Sequence, residues 1–524
     1  MEAFMKKNPN LLWIMAILLG WLFDFLFWQQ SFGVNFAIFT VCCLLGGFLL
    51  LRVNDQRPAR GTLWLIPLIL FFAAITFIRA EPLTVFLGVL IPFLLMVVLA
   101  NTFLGGRWFA YSLADYVSGF FKLMGSMLAQ PAMFNSEVSR ERKESSQQAV
   151  KINIWPALRG ILIAIPILAI FAALLASADS IFSNQLGALL KPFFGWDKFP
   201  EYIFRLFYIL LIAYGLAGAF LHAALHSRDE KLIGEEKPLV PQFLGFTETA
   251  IVLGSVIVLF AAFVVIQVRY LFGGLANINI TGFTYSEYAR RGFGELMAVA
   301  FLSLLMIMGF GAITRRESQA HKWAYSGLSI AIVLLVMVIL ISAYQRLNLY
   351  EVAYGFSRLR TYTYVALVWI GVLLLAVGIL EFLRRERFIA LAVLLTSLGF
   401  AVSLSLLNVD GFIVRHNVDR VMQGQSLDVQ YLVSFSSDAI PVLVDEFHSA
   451  SLTTSTHEAI GAILVCHKAL NNADQGTGDW RSFTFTRWAA EAAIQKVQTE
   501  LNTYHMNYET FQVRTPANTV YPCH

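Results

Sequence analysis

The residues best suited to chemistry in this 524-residue chain are ionisable groups at the ends of long apolar runs. In YSEYARRGFGEL, read as a helix, Glu287, Arg291 and Glu295 recur at i, i+4 and i+8 on one face, with Arg290 beside them. LYEVAYGFSRLRTYTY carries Glu351, Arg358 and Arg360 among Tyr350, Tyr354, Phe356, Tyr362 and Tyr364. LLASADSIF adds Asp179, and the tail opens with Asp410, Arg415, Asp419, Arg420, Asp428 and Asp438. A charge entering an apolar helix is costly, so such groups pair or line a wet cavity. Two arrangements fit. One is an ion-pair and aromatic belt that locks loops and tail to a helical bundle. The other is a ligand pocket of Asp179, Glu287, Arg290, Arg291, Glu295, Glu351, Tyr354, Arg358 and Arg360, whose Arg and Tyr donors suit an anionic or glycan group. Asp24 is a further acid inside an apolar run, either a proton-coupling group or an interfacial residue.

Other motifs lead away from known chemistries. The chain has no GxxxxGK loop for phosphates, and His457-Glu458 lacks the second His of HExxH. His222 and His226 have a metal-compatible i, i+4 spacing but read better as interfacial residues at a helix end. No metal, no cofactor and no catalytic residue is assigned. Cys42 and Cys43 read as packing residues within a span. Cys466 and Cys523 are a candidate disulfide in an oxidising compartment.

The elements that must position these groups are membrane helices. The chain is 58% hydrophobic and 14% charged, with mean hydropathy +0.66, against ~25% charged in a soluble domain. About eleven runs reach the ~20 apolar residues a bilayer needs: 10–28, 33–51, 63–78, 83–103, 155–176, 202–225, 245–271, 288–312, 321–344, 362–382 and 387–407. Basic clusters fill every second gap, from Lys6 and Lys7 to Arg384, Arg385 and Arg387. That alternation predicts a cytoplasmic N-terminus and an extracytoplasmic tail. The net charge of +4 reads as topology rather than nucleic-acid binding. The expected fold is an all-α polytopic membrane protein in four parts: a four-helix segment (1–104), a cytoplasmic amphipathic helix and polar linker (105–154), a seven-helix core (155–407) and a mostly helical cap (408–524), whose end, QVRTPANTVYPCH, has turn and extended character. Residues 107–129 are amphipathic and suit the inner leaflet surface, whereas 135–151 read as a solvated linker.

LLASADSIF, YSEYARRGFGEL, LYEVAYGFSRLR, DGFIVRHNVDR and LDVQYLVSFSSDAIPVL together resemble a bacterial multi-pass membrane family known as domain of unknown function 4173. The resemblance runs from about the fifth span to about residue 445. It implies a bacterial cytoplasmic (inner) membrane and carries no reaction. The expected function is ligand binding, transport or envelope sensing and scaffolding at an outward-facing charged and aromatic site, with membrane lipid as a partner. The rival is a multi-pass lipid-linked glycosyltransferase. Those enzymes use outer-loop acids near their first spans, whereas the first outer gap here is very short.

Overall fold

The computed structural model describes residues 9–145, 199–228, 232–233, 241–272, 293–450, 452–473 and 479–523, with scattered positions between 160 and 185. Among the described residues, ten helices are long and apolar enough to cross a membrane. The span expected at 155–176 lies largely outside the described residues, as do Glu287, Arg290 and Arg291. The chain divides into two compact units, one of Met1–Trp28, Cys43–Gln56 and Met124–Leu225, the other of Gln29–Cys42, Arg57–Leu123 and His226–His524.

In the first unit, α1 (Pro9–Phe27) packs along the Phe199–Leu225 helix. The backbones approach so closely that a Cβ on Gly20 would stand 2.6 Å from the Ile209 carbonyl oxygen. Asp24 is buried where the helices meet, and Arg205 grips it through Nε (3.0 Å) and Nη2 (2.6 Å). The acid read as a proton-coupling candidate is thus one half of an ion pair. His222 Nδ1 shares a 2.7 Å hydrogen bond with Ser126 Oγ.

The second unit holds most of the spans and the cap. After α2 (Val34–Val53), α3 (Leu65–Ile78) and α4 (Pro82–Thr102) form a tight hairpin. Its corner is set by Glu81, which caps α4 while Pro82 takes the first helical position, where no N–H is needed. The polar linker expected at 135–151 is helical as far as Ser145, because α5 runs unbroken from Leu113 to Ser145, its residues from Met124 on being counted with the first unit. Its polar second half is rich in Glu, Arg, Lys and Gln, which lose little rotamer freedom in a helix.

α6 (Phe199–Leu225) belongs to the first unit. In the second, α7 (Phe246–Phe272) and α8 (Phe293–Ile313) pack on α9 (Gln319–Tyr354), which packs on α10 (Arg358–Phe382), and that on α11 (Ile389–Leu407). Their shared core includes Leu253, Ala300, Ile332, Val336, Leu347, Leu374 and Val377. Gly355, at φ +76°, separates α9 from α10. A Cβ there would strike the side chains of Arg420 and Asn417, so the corner requires glycine on both counts.

The cap begins without a linker. Asn408, at φ +49°, ends α11 and caps α12 (Val409–Met422). α13 (Val429–Val433), α14 (Ile440–Phe447), α15 (Thr454–Ala473) and α16 (Phe485–Lys496) follow. The tail was expected to be helical with a turn-rich end. That end adds a three-stranded antiparallel sheet, β1 (His505–Asn507), β2 (Gln512–Arg514) and β3 (Val520–Pro522), in the order β1-β2-β3. Cys466 of α15 and Cys523 form a disulfide with their Cα atoms 5.2 Å apart. One hydrophobic core runs from Leu404 of α11 through Ile413, Ile440, Ile463 and Val513 to Cys523, so span and cap are packed continuously.

Candidate functional site

The cap's first helices meet the ends of α3, α4, α10 and α11 in a layer of ionisable groups, of which Glu81, Asp410 and Asp438 are buried. Arg358, in the first turn of α10, is half-buried and points its fork at Asp410 of α12. Nε donates to Oδ1 and Nη2 to Oδ2, each at 2.7 Å. Asp410 is 0% exposed, and its Oδ2 also accepts from the Ser436 N–H (2.8 Å) and hydroxyl (2.7 Å). The guanidinium lies 4.9 Å above the Phe435 ring. This is the planar, two-point geometry for which arginine is suited and lysine is not.

Ser436 also caps the turn that presents Asp438. Asp438 Oδ2 accepts from the N–H groups of Ala80 (2.6 Å) and Glu81 (2.8 Å), at the hairpin corner. Its Oδ1 is 3.8 Å from Arg79 Nη1, too long for a hydrogen bond. Burial pushes the Asp438 carboxyl above the usual aspartate range, against the pull of the Ala80 N–H, Arg79 and the Glu81 N–H. Arg79 turns its Nε to the Ser405 carbonyl (2.9 Å) and its Nη2 to that of Leu406 (3.3 Å), the open end of α11. That places a cation where helix carbonyls lack partners. Glu81 closes the layer. It accepts from Leu83 N–H (3.0 Å), Thr84 N–H (2.8 Å) and the Tyr362 hydroxyl of α10. Three carboxyl groups therefore face two guanidiniums, and among the described residues Asp438 Oδ1 is left without a hydrogen bond.

Arg360, one turn-face away, serves a different purpose. Its guanidinium stacks 4.1 Å above the Tyr350 ring and 5.8 Å from that of Tyr354, and Nη1 donates to the Gly355 carbonyl. Arg420 donates to the Val352 carbonyl at 2.9 Å, and Asn417 clasps both backbone groups of Phe356, at 2.8 and 3.0 Å. Glu351 lies in the field of Arg420, His416 and Arg360. These contacts fasten the α9–α10 corner to α12.

The predicted site residues thus have different fates. Arg358, Arg360, Tyr354 and Glu351 all stand at the cap end, but Arg358 answers to Asp410 and Arg360 to the corner. Glu295 is exposed in the first turn of α8. Asp179 is exposed in the first unit, where its carboxylate faces the Phe182 N–H at 3.4 Å. Sequence reasoning singled out Asp410 and Asp438 only as tail charges, and missed Glu81 and Ser436. The signal for Glu81 was legible: Pro82 marks a first helical position, which makes the acid before it the capping residue. Nothing in the sequence linked it to Tyr362, 281 positions away.

A second ionic group lies at the opposite end of the α9–α10 pair. Arg316 bridges Glu381 (3.4 Å) and Glu386 (2.5 Å) and stacks 4.1 Å above Tyr325. Glu381 is buried there with the Ser326 hydroxyl at 3.3 Å.

Residues 65–446 match a family described as a domain of unknown function, DUF4153. The chain belongs to that family. The resemblance to family 4173 is corrected accordingly, with an unknown-function family standing in either case. The DUF4153 match starts at the first residue of α3 and ends within α14. It contains every member of the buried layer from Arg79 to Asp438, and leaves the disulfide-bearing end of the cap outside. Searches of curated proteins and of solved structures return no match.

Proposed function

We propose that this DUF4153 protein is a multi-pass membrane scaffold or sensor whose cap is clamped to the bundle, with the charged layer as the clamp. One observation carries the reading. The Nε–Nη2 edge of the Arg358 guanidinium is taken by Asp410, whose Oδ2 also accepts from the Ser436 N–H and hydroxyl. With that edge occupied, a carboxylate or phosphate cannot take the Nε–Nη2 two-point grip, which the competing pocket reading asks of Arg358. The cap is the extracytoplasmic part of this reading. The far end of the second unit carries Arg315, Arg316, Arg384, Arg385 and Arg387, the basic signature of a cytoplasmic face, and the cap carries the disulfide. A bacterial cytoplasmic membrane suits both.

Hydrogen exchange on the purified protein tests the clamp. Arg358→Ala should raise exchange in residues 409–447 while α7 to α9 keep their protection, because the cap loses its anchor before the spans lose theirs. Unchanged exchange in 409–447 would contradict the clamp and favour a pocket.

A further inference from the structure

Four large aromatic side chains stand exposed within nine residues of the cap: Trp480, Phe483, Phe485 and Trp488. The two tryptophans are each 55% exposed. A soluble cap has no reason to present such a cluster, because exposed contiguous apolar surface marks an interaction site. Its position says which. The Phe483 carbonyl accepts from the Val34 N–H at 3.0 Å, at the first residue of α2. Gly33 beside it is pressed so closely that a Cβ would meet the Phe483 oxygen at 2.7 Å. The Gly33 carbonyl in turn accepts from the Thr76 hydroxyl of α3 at 3.1 Å. Thr76 stands two residues before the end of α3, about 3 Å inside it along the helix axis. The 482–483 backbone is therefore level with the last turn of a candidate span, and α16 packs against that same span.

The helix also changes character along its length. Phe485 and Trp488 share the exposed face of α16 with Glu491 and Gln495, while Ala490, Ala493 and Ile494 face the cap core. The apolar residues occupy the turn nearest the spans, and the polar ones the turns beyond it. That gradient matches a helix whose first turn enters the headgroup boundary and whose remainder leaves it. Tryptophan flanked by Arg481 and Arg487 is the composition of such a boundary.

We infer that the cap is seated in the membrane surface: Trp480, Phe483, Phe485 and Trp488 insert into the leaflet on the cap side, with lipid as their partner. The inference rests on the reading of the long apolar helices as membrane spans.

Site-directed spin labelling tests both together and tells them apart. Cys42 and Cys43 are replaced by serine, and single labels are placed through Phe485→Cys, Trp488→Cys, Tyr508→Cys and Leu302→Cys. Each protein is reconstituted into mixed phosphatidylcholine and phosphatidylglycerol vesicles. Tyr508 is an exposed cap residue next to β1, and Leu302 is exposed mid-span in α8. Oxygen partitions into lipid and a nickel chelate stays in water. Labels at 485 and 488 should show an oxygen-to-chelate accessibility ratio several-fold above that at 508, approaching that at 302. If 302 is lipid-like but 485 and 488 match 508, the spans stand and the insertion is wrong, with the aromatic face left for a protein partner. If 302 itself is chelate-accessible, the membrane reading fails and the insertion with it.

Discussion

At the residue scale, the decisive fact is that Asp410 has no exposed surface and has both its oxygens held by Arg358. Removing one partner of a buried pair leaves the other charged and desolvated, at a typical cost of about 3–5 kcal/mol. Arg358→Ala should therefore lower the unfolding free energy by that order, read in detergent by denaturant titration. Arg358→Lys should not restore it, since an ammonium cannot reproduce both hydrogen bonds. A lysine variant as stable as the parent would show that the fork geometry is unimportant. Asp438 offers a second test. Its folded pKa is raised by burial above the ordinary aspartate value of ~3.9. Between those two values the folded chain holds a proton that the unfolded chain releases, so stability falls as pH rises through that window. His467 titrates in the opposite sense, because burial lowers its pKa and acid forces a charge into the cap core. The difference between the parent and Asp438→Asn isolates the aspartate. Parent stability should decline relative to the variant as pH is raised above ~3.9. A parallel pair of pH curves would mean Asp438 is not titrating in this range.

At the scale of elements, the cap holds itself together as well as holding the bundle. The Cys466–Cys523 bridge spans a sequence separation of 57 residues. Closing a loop of that length restricts the unfolded chain enough to be worth about 4 kcal/mol in the chain-entropy view. Reduction should therefore lower the cap's unfolding midpoint, followed by exchange in 454–523. No shift on complete reduction would mean the packing of Ile460, Ile463 and Val513 suffices. Much at this scale was legible in the sequence. Apolar runs of span length are visible because lipid imposes a length and a composition together. The α5 extension to Ser145 was not visible, since polar helices and polar linkers share a composition and differ only in backbone order. The small sheet was half legible, as turn and extended character without pairing, because register between strands of three residues leaves almost no pattern.

At the scale of the whole molecule, topology and clamp make one claim. Reporter fusions after Leu407 should behave as extracytoplasmic, and fusions within 135–145 as cytoplasmic; either result reversed would invert the charge ladder. Glu351, Arg358 and Arg360 were legible as span-end charges because ionisable groups there must be paired or wet. Their pairing was not, because Arg358 to Asp410 and Glu81 to Tyr362 are contacts between distant segments that no local spacing encodes. The central claim, that the layer is a clamp, is tested most directly by a double-mutant cycle of Arg358→Met and Asp410→Asn. Asparagine keeps an acceptor for Ser436 and removes the charge that Arg358→Met strands. The clamp predicts that Asp410→Asn rescues much of the stability lost in Arg358→Met, with a coupling within the ~0.5–3 kcal/mol range typical of residues in direct contact. Strictly additive losses would contradict it.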